Sequence, residues 1–140
     1  MKLPWRSVRR PETTVAEPAP YESVAVVDSR ARPGVRYTVA RMSFGRRMEL
    51  MRRIREMAGR AEFLASGQGV EDKMDGALLQ AEIERLYVAW GLKSVSGLVV
   101  DGRQASPETL LEDGPEELFR EALAAVRAET GLNEQERKNS

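Results

Sequence analysis

Few groups in this chain could make or break bonds. Its 140 residues include no histidine and no cysteine, which leaves carboxylate pairs, lysine amines, hydroxyls and bound metals. Histidine is the side chain whose ordinary pKa lies nearest neutrality, and enzymes draw on it most often for proton transfer. The acids here do not converge. Glu82 and Glu84 fall inside a helical pattern on opposed sides, about 160° apart at 3.6 residues per turn. Asp72 and Asp75 can share a face, but no neighbouring oxygen ligands complete a calcium or magnesium cage. Glu112-Asp113 and Glu116-Glu117 straddle a helix start, where the helix dipole favours acids without any catalytic role. Gly67-Gln68-Gly69 leads into valine and acids, lacking the lysine and hydroxyl of a phosphate loop. The residue types therefore predict a protein that is not an enzyme, with no catalytic residue, cofactor site or metal site.

Charge is instead sorted along the chain. Residues 1–60 carry fourteen bases and six acids, and residues 61–140 carry eight bases and sixteen acids. The surpluses of eight cancel. Such polarity suits association with partners or between copies, because head-to-tail stacking sets opposite charges together. The absence of thiols removes disulfides and fits a reducing compartment. No apolar run approaches a membrane span of ~20 residues, and the start lacks the apolar stretch of a secretory signal, so the expected location is the cytoplasm.

The elements that position these charges follow from periodicity. Pro4, Pro11, Pro18 and Pro20 predict a flexible arm over 1–20, since proline fixes φ and lacks a donor. Tyr21–Asp28 and Val35–Met42 read as strands joined at Arg32-Pro33-Gly34, with Val35, Tyr37 and Val39 on one face. Ser43 caps a helix over Phe44–Ser66 whose inward stripe is Leu50, Met51, Ile54, Met57, Ala58, Ala61 and Leu64. A second helix, Glu71–Trp90, buries Leu79, Ile83, Leu86 and Trp90. It carries a shallower ridge of Ala77, Ala81 and Val88, and Gly91 follows as a left-handed stop. Two apolar faces on one helix predict a sandwiched position, in the core or at an oligomer contact.

Asp101-Gly102 predicts a hairpin between Val95–Val100 and Arg103–Ala105. Ser106-Pro107-Glu108 opens a short helix to Glu112, and a longer one runs to Thr130 with Gly131 as its stop. Leu118, Phe119, Ala122 and Val126 form its stripe, and Asn133 with Glu136 could cap a last turn before the end frays. The expected architecture is α+β and predominantly helical, with two short hairpins and three to four helices. It comprises an arm (1–20), one domain (21–132) and a short tail (133–140).

Two kinds of surface remain. Arginines from Arg41 to Arg60 suit phosphate by their planar fork, giving an arginine-rich nucleic-acid binder as one reading. They wrap around the helix, however, and acids interrupt them, whereas a nucleic-acid face is a basic stripe. Met42, Met48, Met51 and Met57 cluster around the same helix, and methionine surfaces adapt to varied apolar partners. With Met51 and Met57 assigned to the core, Met42 and Met48 are the free ones. The candidate partner-binding residues are Trp5, Met42, Met48, Arg52, Arg53, Arg60, Tyr87 and Trp90. Trp90 fits the core at least as well.

Several segments resemble the tail assembly chaperones of long-tailed bacteriophages and prophages. They are Gly34-Val35-Arg36-Tyr37-Thr38-Val39 before an arginine-rich helix, Ala89-Trp90-Gly91-Leu92, and Val95-Ser96-Gly97-Leu98-Val99-Val100-Asp101-Gly102. The likeness continues through Pro107-Glu108-Thr109-Leu110-Leu111, Gly114-Pro115-Glu116-Glu117-Leu118 and the end from Gly131 to Asn139. It covers roughly residues 34–139. The resemblance implies a mostly helical, self-associating, non-catalytic protein of the host cytoplasm. Such a protein coats the tape-measure protein, recruits tail-tube subunits and is absent from the finished particle. Many members are also made in a longer form by ribosomal frameshifting. The hairpins would equally suit a structural tail or head–tail connector subunit.

Overall fold

A long antiparallel helical hairpin stands on a small α+β body. The computed structural model describes residues 17–67 and 69–131. Trp5, most of the arm and the proposed last turn at Asn133 lie outside them, as do the side chains of Leu64 and Ala65.

Strand β1 (Val24–Asp28) pairs antiparallel with β2 (Arg36–Ala40), from Val24 opposite Ala40 to Asp28 opposite Arg36. The turn between them closes where Val35 N–H donates to the Arg32 carbonyl at 3.0 Å, with Gly34 at φ 99°. That conformation costs glycine little and other residues more. Val35, Tyr37 and Val39 are buried together, as the alternation predicts.

Helix α1 (Phe44–Ala65) starts at Ser43, whose Oγ accepts from the Arg46 N–H at 3.2 Å. It packs along α2 (Val70–Gly91), and the connection passes through Gly67 and Gly69. Strand β3 (Leu92–Ser96) follows α2 without a connector and pairs antiparallel with β2, so the sheet order is β1-β2-β3. Two expectations are corrected here. Val95 belongs to this strand, opposite Tyr37, and the predicted hairpin shrinks to β4 (Val99–Val100) and β5 (Arg103–Gln104). Gly91 is helical; its function is steric, because a Cβ there would lie 2.6 Å from Val126 Cγ1.

The Asp101-Gly102 turn is as expected, with φ 51° and 82°, the signature of a type I′ hairpin. Helix α3 (Pro107–Asp113) is capped by Ser106, which accepts from Thr109 N–H at 3.1 Å. Helix α4 (Glu116–Thr130) ends at Gly131 with φ 73°. Leu118, Ala122 and Val126 on α4 pack against the buried face of β2, and Val88 of α2 and Leu110 of α3 close the core. The architecture is α+β, with four helices among the described residues and two antiparallel sheets. No helix among the described residues is long and apolar enough to cross a membrane.

Candidate functional site

Among the described residues, helix α1 is fastened to the body through its first turns, and most of its length packs along α2. Arg46 lies over the Trp90 ring, 4.5 Å from its centroid, and Arg47 donates to the Thr130 carbonyl at 3.0 Å. These contacts fasten the base of α1 to the ends of α2 and α4. Beyond them, Leu50 and Ala61 are buried and Ile54, Met57 and Ala58 half-buried, so the stripe facing α2 is narrower than predicted. Met51 is a correction: it is 51% exposed, because a single neighbouring helix covers a smaller arc than a surrounding core does.

The outward side of α1 and the ends of α2 and α4 enclose an open groove of about 1220 Å³. Met48, Met51, Ile54, Gly59 and Phe63 give it an apolar lining, with Tyr87 and Thr130 at the base. Phe63 is 77% exposed. Arg47, Arg52, Arg55 and Arg60 also line it, with Glu56 as the one acid. Arg52, Arg55 and Arg60 form no ion pair among the described residues. The site is thus greasy, adaptable and positive.

Of the residues singled out in the sequence, the fold brings Met42, Met48, Arg52, Arg60 and Tyr87 to this groove. Arg53 points elsewhere and pairs with Glu49 at 3.1 Å. Trp90 is half-buried against the core beneath Arg46. Sequence reasoning missed Arg47, Arg55, Met51 and Phe63. Phe63 carried a readable signal, an aromatic residue off the Leu50–Ala61 stripe.

The most elaborate polar cluster lies elsewhere, at Glu121 on α4. Its Oε1 accepts from the Tyr37 hydroxyl at 2.7 Å and from Ser29 Oγ, and its Oε2 accepts from the backbone N–H groups of Arg30 and Ala31 at 2.8 and 3.0 Å. Burial pushes the Glu121 carboxyl up, but the hydrogen bonds from Ser29, Tyr37, Ala31 and Arg30 outweigh it and hold the pKa at about 2. Burial, then the bond to Glu121, raises the Tyr37 phenol well above its usual range. A serine beside a carboxylate invites a nucleophilic reading, but a group ionised down to pH ~2 is a poor base for a hydroxyl. Ser29 Oγ also accepts from Arg32 N–H at 2.9 Å. The cluster is a brace that ties the β1–β2 turn to α4.

Among the described residues no three acidic side chains gather closely enough to hold a metal ion. No family model, no curated protein and no solved structure matches this chain.

Proposed function

We propose that this protein is a non-enzymatic tail assembly chaperone of a long-tailed phage or prophage. On this reading it works in the host cytoplasm, shielding the tape-measure protein and recruiting tail-tube protein. One observation carries the proposal: among the described residues, a methionine- and phenylalanine-lined groove stands open along a projecting helix instead of being packed into the body. Exposed apolar surface of this kind marks interaction sites, and flexible methionines accommodate different apolar side chains. The arginines at the groove favour acidic helical clients. The resemblance over residues 34–139 supplies the assembly setting.

The test is co-expression with a tape-measure protein from the same tail gene cluster. The chaperone reading expects the tape-measure protein to become soluble and to co-purify with this chain, while assembled particles lack the chain. If neither protein solubilises or retains the other, the reading fails. Recovery of stoichiometric chain from purified particles would instead identify a structural tail or connector subunit.

A further inference from the structure

The helical hairpin carries a second bare apolar surface, on α2. Val70, Met74 and Leu78 are 75%, 66% and 59% exposed and recur every four residues, so they form one stripe. The exposed Ala77 and Ala81 extend it, whereas Val88, the third residue of the second apolar ridge read from the sequence, is buried in the core. Glu71, Asp75 and Glu82 run along one flank of the stripe, within about 40° of one another around the helix. These acids form no ion pair among the described residues. Leu78 opens on a different depression, shared with Met57 and Phe119, so stripe and groove occupy different faces of the hairpin.

Stripe and groove complement each other in three respects. Both are apolar, so seating one on the other removes apolar surface from water. One is flanked by acids and the other by Arg52, Arg55 and Arg60, none of them in an ion pair among the described residues. Val70–Leu78 advances eight residues, about 12 Å of helix, and fits within the groove, whose lining on α1 runs from Arg47 to Phe63. Stripe and groove face different ways on one rigid hairpin, so they cannot meet within one copy.

We infer that the arginine-lined groove on α1 receives the Val70–Met74–Leu78 stripe of a second copy of this chain. The contact is heterologous: each copy offers a groove to one neighbour and a stripe to another. Repetition therefore builds a ring or an open filament instead of a two-fold dimer. A client that enters the groove must displace the neighbouring copy, so binding a client would dismantle the assembly.

Sedimentation velocity on the purified full chain tests this without any client. The wild-type protein is expected to associate as concentration rises at ~50 mM salt, and to associate less at ~500 mM salt, where the Debye length is only a few ångströms. Two variants reverse the charges separately: Asp75→Arg with Glu82→Arg on the stripe, and Arg52→Glu with Arg55→Glu in the groove. All four side chains are exposed, and circular dichroism checks that each variant is folded. Each variant alone should associate at least about tenfold more weakly, because like charges then face each other. An equimolar mixture should recover association, since each variant then supplies the surface that complements the other. A monomeric wild type, a variant that associates as well as wild type, or a mixture no better than its parts overturns the inference. A monomeric wild type that still solubilises a tape-measure protein overturns this inference alone and leaves the chaperone reading standing.

Discussion

Replacing Glu121 by glutamine should remove most of the acid sensitivity of this fold. The carboxylate receives four hydrogen bonds, from two hydroxyls and two backbone N–H groups, and its pKa falls from the ordinary 4.5 to about 2. At ~1.4 kcal/mol for each pH unit, a fall of that size corresponds to about 3 kcal/mol, and partial solvent screening reduces it to about 2. The native pKa is depressed, so this stability is fully present above pH 4.5. It is lost as pH falls from there towards 2. Glutamine keeps the shape but can accept at only one of its two terminal atoms, so the variant should be about 2 kcal/mol less stable at pH 7. The gap between the two proteins should narrow by pH 3 and close near pH 2. Urea unfolding of both at pH 7, 5 and 3, followed by circular dichroism, measures this. If wild type and variant lose equal stability between pH 6 and 3, Glu121 is not the brace described.

Three further substitutions probe the scaffold. Gly97→Ala should cost about 3 kcal/mol or more, read as a lowered melting temperature, because φ is 78° and the new Cβ would sit 2.0 Å from the Gly34 carbonyl oxygen. Gly91→Ala should cost about 1–3 kcal/mol by crowding Val126, and Val126→Ala in the same chain should recover part of that loss in denaturant midpoint. Ser106→Ala should cost about 1 kcal/mol in urea unfolding by uncapping α3, with Ser106→Asp restoring most of it.

Features set by neighbouring residues were legible in the sequence. The Asp101-Gly102 turn, the Ser43 and Ser106 caps and the Gly131 stop each depend on a few adjacent residues, and each sits where its local chemistry predicts. Features set by distant packing were not. Strand β3 was missed because α2 runs into it without turn residues, and its partner β2 lies more than fifty residues earlier. Glu121 looked like any acid on a helix, since its partners Ser29 to Tyr37 lie 84 to 92 residues away. The exposure of Met51 depended on how many neighbours α1 would have, and periodicity gives a face without giving its cover. The groove was therefore half visible: Met42, Met48, Arg52, Arg60 and Tyr87 were named, but not Arg47, Arg55, the Phe63 end or the role of Met51.

The most direct measurement compares tape-measure protein kept soluble by the wild type with that kept soluble by a chain carrying Met48→Ser, Met51→Ser and Phe63→Ser. These exposed side chains contribute little to folding, so the variant should melt like wild type. The account predicts that it loses most of its ability to hold the client in solution. A variant that holds the client as well as wild type would contradict the claim that this groove is where the protein works.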